Sequence, residues 1–105
     1  MSVFENVAVV KEANIYFNGQ VTSRTVTFAD GTKKTLGIML PGEYEFSTDA
    51  AELMEITAGK LDVILPNTEE AIPIAAGESF NVPAKAKFTV RIHEVTDYIC
   101  SFLED

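Results

Sequence analysis

The sequence predicts an all-β domain, a sandwich or small barrel of short strands. Three observations lead there. Apolar residues alternate with polar ones at period two, turn residues interrupt them at short intervals, and no segment sustains a helical period. With 105 residues there is room for one domain and one core. A hydrophobic fraction of 47% is that of a globular chain, so disorder is not expected.

The N-terminal arm, Ser2 to Ala13, admits an added strand, a short helix or a segment swapped between subunits. In TVTFADGTKKTLGIML, Val26 and Phe28 alternate with threonines, and Asp30-Gly31 supplies a turn. The apolar run Leu36 to Leu40 then leads to Pro41-Gly42, a second turn. Tyr44 and Phe46 share one strand face. Thr48 to Met54 is a loop or at most one helical turn, capped by Ser47 or Thr48 through Glu52. In MEITAGKLDVILP, Ala58-Gly59-Lys60 reads as a hairpin connection, with Leu61, Val63 and Leu65 on one side. FNVPAKAKFTVRI places Phe80 and Val82, then Phe88, Val90 and Ile92, on inward faces. DYICSF does the same for Tyr98, Cys100 and Phe102.

A formal charge of -8 argues against duplex nucleic acid or an anionic membrane as partner, because both need an electropositive surface. A small anion is compatible, since one or two cations or a row of backbone N–H groups can hold a phosphate. No apolar run approaches the ~20 residues of a bilayer-spanning helix. The start lacks a basic n-region and cleavage site, and the single cysteine provides no disulfide framework. The expected compartment is the cytoplasm.

There is no P-loop, Gly-x-Gly-x-x-Gly, Cys-x-x-Cys or His-Glu-x-x-His. His93 is the one histidine, so a histidine-rich metal site is excluded by count, and no metal ligands are assigned. His93 reads as a surface imidazole beside a carboxylate, near a turn at His93-Glu94, with a general-base role as the alternative. Cys100 reads as core rather than nucleophile. Lys33, Arg24 and Arg91 are candidates for phosphate, against the plain reading of solvated charges. Glu43 and Glu45 lie opposite Tyr44 and Phe46, on an exposed edge or facing a barrel mouth. Tyr16, Phe46, Phe88 and Tyr98 are among the aromatics able to line a small cavity or fill a core.

The spacing around Gly42 matches a known frame. Gly42, five residues, Thr48, one residue, Ala50, then Glu52, six residues and Gly59 follow the first cupin motif, with Thr48 and Ala50 at its histidine positions. Gly77, five residues and Pro83 follow the start of the second motif, whose glycine falls on Lys85, histidine on Phe88 and asparagine on Ile92. The turn-forming residues remain and the metal ligands do not. From Ile15 onward, the runs YFNGQV, GIMLPGEYEFST, ELMEITAGKLDVILP, AGESFNVPAKAKF and YICSF resemble the small cupin-type pyrimidine/purine nucleoside phosphorylases. Residues 1–14 form an arm outside the resemblance, and 15–105 the cupin-like domain.

The resemblance implies a single cupin-like (RmlC-like jelly-roll) β-barrel, a homodimer, and phosphorolysis of purine and pyrimidine nucleosides to base and ribose 1-phosphate. It calls for inorganic phosphate as co-substrate and no cofactor. Phosphorolysis at an anomeric carbon needs positioning and charge stabilisation rather than a metal or covalent nucleophile. Motif position and chemistry then suggest Thr48 and Ser47 for phosphate or ribose, and Glu43 or Glu52 for ribose hydroxyls. Tyr16, Phe46, Phe88 or Tyr98 would flank the base. The rival readings are a cupin-like module that binds a sugar, nucleoside or other small molecule without turnover, and a metal-dependent oxygenase or isomerase, which the absent histidines disfavour.

Overall fold

The computed structural model describes residues 2–103. Its described residues form nine strands and one 3-10 turn. The strands are β1 (Ala8–Val9), β2 (Asn14–Tyr16), β3 (Val21–Thr27), β4 (Lys33–Met39), β5 (Gly42–Ser47), β6 (Ala51–Ile64), β7 (Ile72–Ala75), β8 (Ser79–Val82) and β9 (Lys87–Leu103). All pairings are antiparallel, and the sheet path runs β1-β3-β4-β9-β6-β7. Strands β2, β5 and β8 branch from it onto β3, β9 and β6. The path has two ends, so the sheet folds over into a jelly-roll-like sandwich without closing on itself.

The two long strands make that folding possible. At ~3.3 Å per residue, a straight strand the length of β9 would span ~55 Å, whereas the molecule's longest dimension is 40 Å. β9 therefore curves, pairing with β5 through its first half and with β4 through its second. β6 stays beside it throughout, but its register shifts three times between Ile56 and Leu61. Gly59 sits in that irregular stretch with φ +98, close enough to Thr96 and the Val95 carbonyl that a Cβ would fall 2.5 Å from both. The expected hairpin at Ala58-Gly59-Lys60 is instead a bulged bend inside one continuous strand. His93-Glu94 likewise lies within β9 rather than at a turn. The helical turn considered near Thr48 does not form: β5 ends at Ser47 and β6 starts at Ala51.

Strand alternation behaves as the sequence predicts. Tyr44, Phe88, Val90, Ile92, Tyr98 and Cys100 point inward and join Met39, Met54 and Leu61 in one buried cluster. The N-terminal arm is an added strand. Its β1 pairs with β3, and Phe4 packs edge-on against Phe28 at 5.2 Å. The Lys34 ammonium lies over both rings, at 5.4 and 5.8 Å. No helix is long and apolar enough to cross a membrane among the described residues.

Candidate functional site

A cavity of about 220 Å³ opens between the two halves of the sandwich. Its floor is apolar and deeply buried: Met39, Met54, Phe88 and Val90 line it. Its mouth is marked by Tyr16 and Phe102, each about half exposed (46% and 48%), and by Ser47. The walls come from strands distant in sequence. Pairing sets Thr35 of β4 opposite Cys100 of β9, and Cys100 opposite Met54 of β6. Glu52 stands one pleat further along β6, opposite Phe102. Phe46 and Phe88 are cross-strand partners and stack at 5.7 Å with an interplanar angle of 30°.

One carboxylate enters this lining, that of Glu52. Burial raises its pKa above the ordinary carboxylate value, and the Cys100 thiol donating towards it pulls slightly the other way. Burial likewise pushes the Cys100 thiol up to about 12, and the neighbouring Glu52 charge adds to the effect. Cys100 is therefore a neutral donor and no nucleophile. Tyr98, also buried, has its phenol pushed up to about 12, first by desolvation. Its ring lies flat against β4 because Gly37 carries no side chain. A Cβ at Gly37 would sit 2.5 Å from both Cζ and Oη of Tyr98, and closer still to the Thr22 carbonyl oxygen.

The rim is held by an unusual stretch of backbone. Phe17, Asn18 and Gly19 follow one another with φ of 52, 57 and 91. For phenylalanine this left-handed conformation is strained. Its ring compensates by packing on Tyr44 at 4.9 Å and edge-on to Phe46 at 5.5 Å. The Tyr44 hydroxyl lies 2.8 Å from the Leu40 carbonyl and 2.9 Å from Gln20 Oε1, its one hydrogen shared between these acceptors, tying the turn to β5. Tyr16, immediately before the turn, is set at the cavity mouth.

Of the residues singled out from sequence, Tyr16, Phe46, Ser47, Glu52, Phe88 and Tyr98 are brought together here. Six others are placed elsewhere. Glu43 faces away from the cavity, its Oε1 accepting from Arg91 Nε at 2.8 Å across the β5–β9 pair. Arg91 is thereby an exterior residue too. Arg24 lies on the outer face of β3, its Nε 3.5 Å from the Lys11 carbonyl. Thr48 is 5% exposed, and its hydroxyl is spent on the 83–86 turn: it donates to the Pro83 carbonyl at 2.7 Å and accepts from Ala86 N–H at 3.1 Å. It clamps the turn that leads into β9. Lys33 is exposed at the start of β4, and alternation puts it on the same face as Thr35 and Met39, beyond the cavity mouth. His93 is outside as well, its Nε2 3.0 Å from Asp62 Oδ2 on the surface.

Sequence reasoning passed over Ser23 and Thr35, which line the cavity. The available signal was polarity at inward strand positions. Ser23 is two residues after Val21, and Thr35 two before Gly37 and four before Met39, so each shares the face of buried residues.

The family profile described as pyrimidine/purine nucleoside phosphorylase matches residues 11–102. A protein of that name from a Sulfurovum species is 65% identical over 103 residues, covering 98% of this chain and all of the relative. A crystal structure from an Acinetobacter species, described as a protein of unknown function, superposes with a TM-score of 0.94 at 42% identity, covering 96% of this chain and 98% of its own. An RmlC-like cupin from Shewanella frigidimarina superposes with a TM-score of 0.69 at 16% identity over 96% of this chain and 86% of its own, a likeness of fold.

Proposed function

The chain belongs to the pyrimidine/purine nucleoside phosphorylase family, and on that premise we propose that its cavity splits purine and pyrimidine nucleosides with inorganic phosphate. A phosphate oxygen attacks C1′ of the ribose and the N-glycosidic C–N bond breaks. Its electron pair leaves with the base nitrogen, which takes up the proton that the attacking hydrogen phosphate loses, and ribose 1-phosphate departs. The observation that carries this reading is the gradient of the cavity, from an apolar, buried floor to a mouth with a carboxylate and hydroxyls.

A flat, uncharged base belongs at the floor, against the stacked rings of Phe46 and Phe88. The ribose then lies level with Glu52, whose carboxylate accepts from sugar hydroxyls, and Ser47 completes that shell. Phosphate, the charged partner, stays at the mouth, where Lys33 shares the inward face of β4. Holding the two reactants in line can supply on the order of 7–11 kcal/mol of the barrier. Burial of the sugar–base bond among apolar walls strengthens the pull of Glu52 on a ribose that becomes positively charged as the bond breaks.

The reaction runs without a resident metal in this reading. Support comes from the donor set: the chain's one histidine is held at the surface by Asp62, and Phe88 fills a ligand position of the cupin frame. Among the described residues no group of three or more His, Cys, Asp or Glu side chains converges. The compartment proposed is the cytoplasm, and the assembly a homodimer. Exposed apolar residues, Ile15 and Ile38 on either side of Thr22, together with Leu40 and Val95, offer a surface for the second copy.

The test is incubation of the purified protein with uridine or inosine, with and without phosphate, before and after chelation. Phosphate-dependent release of free base that survives chelation is expected. Release without phosphate would make the protein a hydrolase, loss on chelation would restore a metal, and no release with any nucleoside would leave a binding module.

A further inference from the structure

Every polar side chain lining the cavity, Glu52 apart, carries a hydroxyl or a thiol: Tyr16, Ser23, Thr35, Ser47, Tyr98 and Cys100. Amide, guanidinium, ammonium and imidazole groups are missing from that lining. The distinction matters because an ammonium only donates and a carboxylate only accepts, whereas a hydroxyl does both and rotates to suit its partner.

One of these hydroxyls is both buried and anchored. Ser23 is 5% exposed and lines the cavity, paired with Gly37 of β4, which in turn stands opposite Tyr98. It does not rotate freely. Asn14, its cross-strand partner on β2, donates from Nδ2 to Ser23 Oγ at 3.2 Å. On the other side, Tyr98 Oη is directed to the Thr22 carbonyl at 3.5 Å. With one lone pair of Oγ taken by the Asn14 amide and the Tyr98 phenol also within reach of the Ser23 hydroxyl, the serine's hydrogen and second lone pair are shared between Tyr98 and the cavity.

We propose that Ser23, oriented by Asn14, pairs with the exocyclic group of the bound base, and that this pair lets one cavity accept oxo-bearing and amino-bearing bases alike. Ser23 gives its hydrogen to the oxygen of hypoxanthine or uracil and accepts from the amino group of adenine or cytosine. Asn14 is a positioning residue, since it acts through the serine and does not touch the base. The inference rests on the phosphorolysis reading and adds the residue that sets the balance between the two base classes.

A carboxylate at position 14 reverses the arrangement. Asn14→Asp can only accept, so it draws the Ser23 hydrogen away and leaves lone pairs facing the base. An amino group still finds an acceptor, and an oxo group meets another lone pair. The ratio of kcat/KM for adenosine to that for inosine is expected to rise about tenfold, and cytidine to uridine in the same direction, roughly the worth of one hydrogen bond. In a Ser23→Ala background, Asn14→Asp should leave both ratios unchanged. Ser23→Ala alone is expected to slow adenosine and inosine about fivefold or more while sparing purine riboside, which has only hydrogen at that carbon.

The wild-type protein, assayed on the same nucleosides with phosphate, separates the two levels of the argument. If it releases no base, the phosphorolysis reading fails and takes the inference with it. If it is active but Asn14→Asp leaves the ratios alone, or the shift persists without the serine, the inference alone is overturned. Equal losses on adenosine, inosine and purine riboside in Ser23→Ala would overturn it too, even where Asn14→Asp does not fold.

Discussion

Gly37→Ala should damage the protein in two separable ways. The added methyl would lie 2.5 Å from Cζ and Oη of Tyr98, and closer to the Thr22 carbonyl oxygen. Both separations are well inside van der Waals contact, and the Thr22 oxygen is backbone, so it moves only if β3 and β4 part where Ser23 pairs with Gly37. Overpacking of this kind costs about 1–3 kcal/mol. For a domain of this size the melting temperature should fall by roughly 5–20 °C, measured by circular dichroism. The second effect is on the cavity, because the Tyr98 ring, 7% exposed in its seat, must swing into it. Base release at a temperature where the variant is fully folded should therefore drop further than stability explains. Tyr98→Leu, which vacates the seat, should relieve part of the clash. The double variant should then be more stable than the sum of the singles by roughly 0.5–3 kcal/mol. A Gly37→Ala protein that melts with the wild type and keeps its activity would refute this account of the β4–Tyr98 contact.

Two further variants test other parts of the protein. Glu52→Gln should gain stability relative to the wild type as pH rises. Its folded pKa is raised by burial, so Glu52's favourable contribution is complete below the unfolded value and is lost as pH climbs through the folded one. Urea unfolding at about pH 4 and about pH 7 reads that difference. A difference that shrinks towards neutrality would mean the carboxylate is stabilised in place. The same variant should lose about 10- to 100-fold in kcat/KM, as charge-assisted hydrogen bonds to the ribose disappear. Thr48→Val should cost about 0.5–1.5 kcal/mol, because it removes the buried hydroxyl that donates to the Pro83 carbonyl and accepts from Ala86 N–H. Activity per folded molecule should be kept, and a large fall in kcat with unchanged melting would return Thr48 to the catalytic set.

The sequence by itself determined the class of the fold and the inward faces of its strands. Tyr44 with Phe46, Phe88 with Val90, and Tyr98 with Cys100 are legible because side-chain alternation is a local, period-two property of the chain. The cupin frame added Phe88 and Glu52 to the site by position. Tertiary structure alone decided which of these faces meet. Glu43 and Glu52 are equally acidic in sequence. One is turned outward to Arg91 by the β5–β9 register, and the other is turned in beside Cys100 by the β6–β9 register. Gly59 has the appearance of a hairpin turn, yet β9 runs past it, and the close approach of Thr96 makes it a bulge. Thr48 keeps the motif's spacing while its hydroxyl serves a turn thirty-five residues away, at Pro83. Register, bulges and long-range hydrogen bonds depend on partners distant along the chain, and no local pattern of apolar and polar residues records them.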